Sequence, residues 1–368
     1  MLISGGVDSS VSLRLLKDEG HDITAFYLKI WLEDEMSFLG ECPWEDDLSY
    51  IEKVCHDAAV PLVVVPFQKE YWERIVSYTI DEVKRGHTPN PDVLCNTRVK
   101  FGAFYEYLLE QYKDAPFDKI ASGHYAQTEI IDGVAYLKRS PDETKDQTYF
   151  LSQLTQAQVA KALFPIGGLQ KSEVRALAKK YALPNALRKD SQGLCFLGKI
   201  RFDEFIKFHL GTKVGDMIDW ETKKKVGEHE GFWYYTIGQR KGIKLSGGPW
   251  YVIDKDVKKN IVYISNSYRS ENTARNTFEV SGLSWISGDP CATAKALCDT
   301  RSATPGMTDG SGLQVKLRHG ALMYPCALKM IGEDKVEVTI DGYDTGIAAG
   351  QFAVFYKGEY CLGSGMIE

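Results

Sequence analysis

The sequence lacks long hydrophobic runs, although 44% of its 368 residues are apolar. No stretch approaches the roughly 18 consecutive apolar residues that a transmembrane helix needs, so no membrane role is expected. The first residues, MLISGGVDSS, also lack the basic region and apolar core of a secretory signal. We therefore expect a cytoplasmic protein, or a mitochondrial or plastid protein if a transit segment precedes this chain.

Cysteine is sparse and scattered along the chain. The eight cysteines lie at positions 42, 55, 95, 195, 291, 298, 326 and 361, a density far below that of a disulfide scaffold. No pair has C-x-x-C spacing and H-E-x-x-H is missing, so the sequence predicts no metal site. We interpret the cysteines as thiols in a reducing compartment, with Cys42 and Cys55 as structural residues.

Positively charged residues are fewer than negatively charged ones, with 44 Lys and Arg against 50 Asp and Glu and a formal net charge of −6. This sum argues against a nucleic-acid partner, but the distribution of charge matters more. Residues 199–275 contain 15 Lys and Arg against 10 Asp and Glu, whereas the rest of the chain contains 29 against 40. The basic region is either a docking face or, at TKKKV (222–226), a solvated turn.

Short apolar runs alternate with amphipathic stretches over the first 200 residues. Three runs are strand-like: ITAFYLKIW (23–31), PLVVVPF (61–67) and FDKIASGHYA (117–126). Two stretches repeat apolar residues at helical spacing: DLSYIEKVCHDAA (47–59) and YWERIVSYTIDEVKRG (71–86). This alternation predicts an α/β domain with a parallel sheet covered on both faces.

The pattern changes after residue 198. A helix-like RFDEFIKFHLG (201–211) precedes segments broken by glycine, which predicts a small mixed α+β domain. From about residue 276, alternating segments between Gly, Asp and Pro turns indicate a small antiparallel barrel or sandwich, and we favour a β-barrel. The predicted domains are therefore residues 1–198, 199–275 and 276–368.

A glycine- and serine-rich turn, SGGVDSS (4–10), joins a strand-like stub to a helical pattern. The two glycines let several backbone N–H groups point at one anion, and the serine hydroxyls and the helix N-terminus complete a phosphate cradle. The alternative is a simple helix cap. The turn is neither G-x-x-x-x-G-K-[ST] nor G-x-G-x-x-G. The candidate phosphate-binding residues are Ser4, Gly5, Gly6, Val7, Asp8, Ser9 and Ser10.

A second turn, TPNPDVLCN (88–96), holds an acid and a thiol three residues apart. Pro89 and Pro91 restrict the backbone, and a helical turn after Pro91 would place Asp92 and Cys95 on one face. The carboxylate can then handle a proton while the thiol reacts. The alternative is a packed cysteine. A nearby helix N-terminus favours the thiolate and the adjacent carboxylate opposes it.

These motifs resemble those of a known family. SGGVDSS is similar to the pyrophosphate-binding loop (PP-loop) of the N-type ATP pyrophosphatases, which have an adenine nucleotide alpha hydrolase-like fold. From residue 4 to the C-terminus, further motifs resemble those of the tRNA-specific 2-thiouridylases. They are NPDVLCN (90–96), GHY (123–125), KDQTYFL (145–151), KDSQGLCFLG (189–198), YTIGQRKG (235–242), PWYVIDKD (249–256) and AVFYKGEYCLGSGMIE (353–368).

The resemblance implies an ATP-dependent enzyme that thiolates C2 of the wobble uridine, U34, of tRNAs of the Lys, Glu and Gln type. ATP, with Mg²⁺, would adenylate the C2 carbonyl oxygen, and a persulfide would supply the sulfur. It implies that Cys195 accepts the persulfide from a sulfur-donor protein and that Cys95 is the nucleophile. A variant in which the persulfide attacks the base directly fits equally well.

Other roles also follow from the resemblance alone. Asp92 would be the acid or base and would contact the target base with Asn90 and Pro91. Leu28 and Gly123 would bind the adenine nucleotide, although Leu28 also fits a core strand. Residues predicted to contact tRNA are Lys145, Asp146, Gln147, Arg318 and His319. Residues 145–147 could equally form a solvated turn, and Arg318 and His319 an unremarkable strand end.

Two rival functions stay open at the level of sequence. One is an ATP pyrophosphatase that adenylates a carboxylate or another carbonyl and has no use for Cys95 and Cys195. The other is a non-catalytic RNA-binding protein, which the intact phosphate loop disfavours. The first strand, reduced to Met1–Ile3, departs from the fuller strand that the fold normally has.

Overall fold

The structure, a computed structural model, describes residues 1–30, 44–190, 201–267, 275–286 and 312–368. The predictions for Cys42 and Cys195 concern positions outside these ranges. The cysteines within the described ranges, Cys55, Cys95, Cys326 and Cys361, are free thiols.

The N-terminal domain is built on a parallel sheet, as predicted. Its strands β1 (Ala25–Lys29) and β2 (Leu62–Pro66) pair in parallel, as do β3 (Ile120–Ala121) and β6 (Ala162–Leu163). Residues 1–3 lie between the two pairs. Leu2 donates its N–H to Ala121 at 2.8 Å, and Ile3 donates to Phe26 at 3.0 Å. The shortened first strand is therefore the centre of the sheet.

Helices cover both faces of this sheet. Alternate residues of β1 point to opposite sides, since Phe26 packs in one apolar cluster and Ala25 and Tyr27 pack in another. The helices are α1 (Val7–Asp18), α2 (Trp44–Asp57), α3 (68–84), α4 (91–111), α5 (Thr148–Leu151), α6 (Gln156–Lys161) and α7 (Lys171–Lys180). The two stretches predicted as helical correspond to α2 and most of α3.

Helices α3 and α4 each contain a π-helical stretch. Helix α3 is made of Gln68–Tyr71, the π-helical Trp72–Val76 and Ser77–Lys84. Helix α4 is made of Pro91–Leu94, the π-helical Cys95–Ala103 and Phe104–Gln111. The two π-helical stretches pack against each other. Such wide turns are rare and often occur at functional sites.

The middle of the chain forms a small mixed domain, which confirms the prediction. Helix α8 (Phe202–Leu210) precedes β7 (Gly215–Asp219), β8 (Lys225–His229), β9 (Tyr251–Asp256) and β10 (Ile261–Ser265). The strand order is β8-β7-β10-β9, and β7 pairs with β10 in parallel. Residues 222–226 are exposed around the turn between β7 and β8, which agrees with the solvated-turn interpretation.

The C-terminal strands form an antiparallel barrel, as favoured from the sequence. They are β11 (Arg275–Trp285), β12 (Leu313–Lys316), β13 (Tyr324–Met330), β14 (Val336–Asp344), β15 (Phe352–Lys357) and β16 (Tyr360–Ile367). In the part of the chain that the structure describes, these strands follow the order β11-β14-β13-β12-β15-β16, and β11 pairs with β16 to close the barrel.

The barrel sheet continues into the N-terminal domain. The hairpin of β4 (Ala126–Ile131) and β5 (Val134–Arg139) attaches to β16, with Cys361 opposite Leu137. The backbone ladder thus joins the first and last domains, a feature that strand periodicity does not predict. The limits 198/199 and 275/276 remain predictions. Among the helices described, none is long and apolar enough to cross a membrane.

Candidate active site

The phosphate loop lies at the carboxyl end of the central strand. The sheet runs to β1 and β2 on one side of residues 1–3 and to β3 and β6 on the other, so the loop occupies the topological switch point, where open α/β sheets bind ligands. Gly5 has φ +70°, a left-handed conformation that favours glycine. Gly6 then caps α1, and Ser9 and Ser10 each donate a hydroxyl hydrogen bond to its carbonyl.

Gly123 approaches the loop from the neighbouring strand. A Cβ atom on Gly123 would lie 2.7 Å from the backbone nitrogen of Ser9 and 2.9 Å from the carbonyl carbon of Asp8. No side chain fits there without moving the start of α1. Gly123, predicted to bind nucleotide, therefore borders the loop. Leu28, near the carboxyl end of β1, is half-buried and packs against the core.

Two residues from near position 185 hold the loop in place. Asn185 donates from Nδ2 to the carbonyl of Gly5 at 2.8 Å and to Ser10 Oγ at 2.9 Å. Arg188 donates to the same Gly5 carbonyl at 3.2 Å and pairs with Asp47 at 2.5 Å. The loop shape is thus fixed by contacts distant in sequence, which the motif alone does not reveal.

A cation cluster stands beside the loop. Lys171 Nζ lies 2.7 Å from the Asp8 carboxylate and 2.9 Å from that of Asp190. Asp190 also pairs with Lys145 at 2.8 Å and with Arg175 at 2.6 Å. Desolvation raises the pKa of Asp190, but hydrogen bonds from Lys145 and Lys171 outweigh it and lower the pKa to about 2.

Sequence reasoning missed Lys171 as a candidate phosphate ligand. The segment SGGVDSS contains no lysine of its own, but Lys171 supplies an ammonium group from the first residue of α7. Arg175 follows one helical turn later. The available signal was a helix start, QKSE (170–173), with a capping-box glutamate and a lysine directly after the cap.

Cys95 and Asp92 share the first turn of α4, as predicted. Pro91 is the first residue of this helix, and the N–H of Cys95 donates to the carbonyl of Pro91. The Cys95 side chain is 2% exposed within the apolar core. Burial raises the pKa of the thiol, Lys100 lowers it, and Asp92 raises it further. The sequence left open whether the helix N-terminus or the Asp92 carboxylate determines the ionisation of Cys95. Burial has the largest effect, and the resting thiol is protonated.

Helix α5 connects the cysteine turn to the phosphate loop. Asn96 donates from Nδ2 to the carbonyl of Phe150 at 2.9 Å. At the start of the same helix, Gln147 Oε1 accepts from the N–H of Tyr125 at 2.9 Å, and the Tyr125 hydroxyl donates to Asp8 at 3.0 Å. A continuous path of contacts thus runs from α4 to Asp8.

The barrel adds His319 to this assembly. Its ring stacks on Phe150 with 4.6 Å between ring centroids. Partial burial lowers the pKa of His319, and the nearby carboxylates of Asp146 and Asp92 oppose this shift. Because Phe150 also accepts the hydrogen bond of Asn96, His319 is connected through Phe150 to the α4 turn. Arg318 pairs instead with Asp344 of its own barrel at 2.6 Å and keeps about half of its side chain exposed.

The segment 145–147 is not the solvated turn that the sequence also allowed. Asp146 is 1% exposed and binds Lys316 of the barrel at 3.3 Å and the hydroxyl of Thr148 at 2.9 Å. Its carboxylate is thus part of the interface between the domains. Lys145 binds Asp190, and Gln147 binds Tyr125. The predicted contacts of these three residues with tRNA stay predictions.

The structure therefore brings most predicted site residues into two connected groups. One group is the phosphate loop with Gly123. The other contains Asn90, Pro91, Asp92, Cys95 and His319, and residues 145–147 lie between the two. Cys195 lies outside the described residues, five positions along the sequence from Asp190. The individual roles remain predictions.

The fold and the loop define the class of this protein: a PP-loop nucleotide-binding α/β domain joined to a small central domain and a β-barrel. Three family models match it, described as the tRNA methyl transferase HUP domain (residues 1–199), the tRNA methyl transferase PRC-barrel domain (203–266) and the aminomethyltransferase beta-barrel domain (275–367).

Several bacterial relatives match over the whole chain. A protein of Parabacteroides distasonis named tRNA-specific 2-thiouridylase MnmA is 46% identical, covering 100% of this chain and 97% of the relative. Proteins of Porphyromonas gingivalis and Bacteroides thetaiotaomicron, named tRNA-specific 2-thiouridylase MnmA and MnmA 1, are 44% and 43% identical, covering 100% of this chain and 98% of each relative. The chain belongs to the tRNA-specific 2-thiouridylase family.

Proposed function

We propose that this protein is an ATP-dependent tRNA uridine 2-sulfurtransferase. Its substrates are ATP, a sulfur donor and tRNAs of the Lys, Glu and Gln type with uridine at position 34. Its products are 2-thiouridine in the tRNA, AMP and pyrophosphate. The names of relatives at 41–46% identity support this activity.

In the first step, the C2 carbonyl oxygen of the uridine attacks the α-phosphate of ATP and pyrophosphate leaves. The backbone N–H groups at the start of α1 hold the phosphates, and Lys171 balances their charge. Magnesium bound to the ATP phosphates would neutralise part of their charge, and the Asp8 carboxylate and the Ser9 hydroxyl, beside the loop, would be its protein oxygen ligands. The uridine oxygen is thereby converted into a good leaving group.

In the second step, sulfur replaces the activated oxygen. A donor protein leaves a persulfide on Cys195, and the thiolate of Cys95 attacks the Cys195 sulfur. This attack releases hydrosulfide and forms a Cys95–Cys195 disulfide. Hydrosulfide adds to C2 and AMP leaves with the oxygen. A thiol reductant then restores both cysteines, which agrees with a reducing compartment such as the bacterial cytoplasm.

Recognition of the target base falls to the α4 turn and the barrel. Asn90, Pro91 and Asp92 contact the flipped uridine, and Asp92 exchanges the proton. His319, stacked on Phe150, adds an aromatic surface to this group. Unstacked bases of RNA loops commonly pack on such rings.

One observation carries this proposal. The contacts from α4 through Phe150, Gln147 and Tyr125 reach Asp8 of the phosphate loop without a gap. A nucleotide-binding protein with no use for Cys95 has no need to couple its cysteine turn to the phosphate loop. The arrangement supports sulfur chemistry next to the adenylation site.

The test is a reaction with ATP, MgCl₂, sodium sulfide and an unmodified tRNA that has uridine at position 34. We expect AMP, pyrophosphate and a nucleoside whose mass shows exchange of one oxygen for sulfur. Release of ADP would exclude the adenylation scheme.

Cysteine variants test the sulfur step. With a persulfide donor in place of free sulfide, Cys95→Ser and Cys195→Ser should each yield no thiolated tRNA. Cys326→Ser, in the barrel strand β13, is the matched control and should react like the wild type. Full turnover by either active-site variant would exclude the relay.

A further inference from the structure

The carbonyl group of Gly5 is held by two donors from outside the phosphate loop. Asn185 Nδ2 donates to it at 2.8 Å, and Arg188 Nη1 donates to it at 3.2 Å. Asn185 is 1% exposed, so its hydrogen bonds are shielded from water. Since a carbonyl oxygen can only accept, the amide nitrogen of Asn185 is the atom that faces Gly5. The direction of the Gly5 carbonyl is therefore fixed by the turn that follows α7.

Asn185 also fixes the next carbonyl of the loop, through Ser10. Its Nδ2 donates to Ser10 Oγ at 2.9 Å, and the Ser10 hydroxyl donates in turn to the carbonyl of Gly6 at 3.0 Å. The Oδ1 atom of Asn185 has no hydrogen-bond partner among the residues that the structure describes. Within these residues, every hydrogen bond of this side chain goes to the loop, and one amide group orients two consecutive peptide groups.

The fixed Gly5 carbonyl determines the direction of the Gly6 N–H. The Gly5–Gly6 peptide is trans, and the C=O and N–H of a trans peptide point in opposite directions, so the Gly6 N–H points away from Asn185 and Arg188. In the described part of the chain this N–H has no acceptor, and Gly6 is only partly buried. Like the N–H groups in the first turn of α1, it is available to an anion at the loop.

A peptide group between two glycines does not keep this direction by itself. Neither residue has a Cβ atom, and Gly5 already has φ +70°, so the Gly5–Gly6 peptide can turn over at little cost. The carbonyl oxygen would then face the anion and repel it. The same rotation would leave the donors of Asn185 and Arg188 without their acceptor, which is unfavourable in a buried site. These two side chains therefore oppose the rotation.

Arg188 contacts the loop without supplying a free charge to it. Its Nη2 lies 2.5 Å from the carboxylate of Asp47 at the start of α2, and its guanidinium group lies over the ring of Tyr50. The positive charge is thus balanced within the protein, whereas the Nη1 hydrogen bond is directed at Gly5. Arg188 consequently acts on the backbone of the loop, as Asn185 does.

We propose that Asn185 is a positioning residue that turns the Gly6 N–H toward the phosphates of ATP, with Arg188 as the second donor. This inference rests on the proposed function, in which the loop holds ATP, and it adds residues outside SGGVDSS to that site. Asn185 does not touch the nucleotide and acts through the Gly5 carbonyl. Because the oriented group is an N–H, the part of ATP that it recognises is the anionic pyrophosphate and not the adenosine.

The experiment measures the binding of two separate probes, inorganic pyrophosphate with MgCl₂ and adenosine, by isothermal titration calorimetry. Asn185→Leu removes both donated hydrogen bonds and nearly keeps the side-chain volume. We expect its Kd for pyrophosphate to rise at least about tenfold, as for loss of a hydrogen bond to a charged group. Its Kd for adenosine should stay within about twofold of the wild-type value. An unchanged Kd for pyrophosphate would overturn the proposal.

Arg188 provides a second pair of variants, in case Asn185→Leu does not fold. Its side chain is partly exposed, so Arg188→Met should fold. We expect a higher Kd for pyrophosphate in Arg188→Met, and a Kd nearer the wild-type value in Arg188→Lys, which keeps a cationic donor. If Asn185→Leu is unfolded, an unchanged Kd in Arg188→Met overturns the proposal. If Asn185→Leu is folded, the same result removes Arg188 from it.

Asn260→Leu is the matched control. Asn260, in the central domain, is 4% exposed and donates from Nδ2 to the carbonyls of Lys213 at 3.0 Å and Val214 at 2.9 Å. Its φ of +55° adds strain to a leucine at this position, so thermal melting should show at least as large a loss of stability as in Asn185→Leu. The Kd for pyrophosphate should not change. An equal rise in both variants would show a general effect of stability and overturn the proposal.

Calorimetry separates this inference from the proposed function, because it needs neither tRNA nor turnover. If the wild type forms AMP and thiolated tRNA but Asn185→Leu binds pyrophosphate normally, only the present inference is wrong. If the wild type releases ADP and Asn185→Leu still loses pyrophosphate binding, the adenylation scheme is wrong and the role of Asn185 stands. A loss of pyrophosphate and adenosine binding alike would overturn this role, since it would indicate distortion of the whole site.

Discussion

At the scale of single residues, the environment of Cys95 decides its reactivity. A thiol at the start of a helix is expected to ionise readily, yet burial in an apolar core dominates here and raises the pKa of Cys95. The motif NPDVLCN predicted the right pair of residues on one turn. It left burial open as the alternative of a packed cysteine, because the covering residues come from α3 and are distant in sequence.

The raised pKa of Cys95 predicts an activity that increases with pH. Near neutrality only a small fraction of the thiol is ionised, and this fraction grows about tenfold per pH unit below the pKa. The sulfur-transfer step of the wild type should therefore accelerate from pH 6.5 to pH 9. Single-turnover thiolation with saturating ATP measures this step. A rate that falls over this range would show that another ionisation controls it.

The close approach of Gly123 to the phosphate loop predicts that a side chain at this position would impair nucleotide binding. In Gly123→Ala the new methyl group would meet backbone atoms of Asp8 and Ser9 at 2.7–2.9 Å, so the start of α1 has to move. We expect a KM for ATP at least tenfold higher, measured by pyrophosphate release. Gly168→Ala is the control, since its Cβ would lie 3.6 Å from the Gln127 side chain. An unchanged KM in Gly123→Ala would contradict the placement of this residue beside the nucleotide.

At the scale of elements, the sequence predicted the helices and strands better than their junctions. Apolar periodicity identifies α2, α3 and α8 because each buries one face. Apolar periodicity does not distinguish π-helical from α-helical turns. A π-helical N–H bonds the carbonyl five residues earlier instead of four, and this change leaves the apolar side chains in the core. Apolar periodicity also misses the attachment of the β4–β5 hairpin to β16, because backbone pairing between distant strands has no local signal.

The position of helix α7 predicts that its first residue is a second determinant of nucleotide binding. Its first residue, Lys171, holds the carboxylates of Asp8 and Asp190 beside the loop. Lys171→Met removes a charge-assisted contact worth about 1.5–3 kcal/mol, so the KM for ATP should rise about 10- to 100-fold. Lys180→Met, an exposed lysine at the other end of the helix, should leave the KM unchanged. Equal KM values for the two variants would remove Lys171 from the site.

At the scale of the whole molecule, three domains meet at the residue that leads into the α4 turn. The N–H of Thr88 donates to Ala349 at 2.7 Å, and Gln351 donates to the carbonyl of Thr88 at 2.8 Å. The Thr88 hydroxyl lies 3.4 Å from that of Thr236 in the central domain. The barrel and the central domain therefore both position the segment that carries Asp92 and Cys95. The sequence predicted these domains without predicting that they share this junction.

A buried ion pair fixes the barrel to the N-terminal domain. Lys316 and Asp146 are each 1% exposed and lie 3.3 Å apart, with the Tyr356 ring also beside the ammonium group. Lys316→Met leaves the Asp146 carboxylate with less compensation, and we expect a loss of about 3 kcal/mol in the free energy of unfolding.

A double-mutant cycle that combines Lys316→Met with Asp146→Asn tests whether the two side chains stabilise the protein as a pair. The double variant Lys316→Met/Asp146→Asn removes both charges, so it should lose less stability than the sum of the single variants. Urea unfolding measures stability, and kcat/KM for tRNA reports whether the barrel still positions His319. Lys329→Met, on the exposed side of β13, is the control and should change neither quantity. Additive losses in the cycle would mean that the two side chains do not act as a pair.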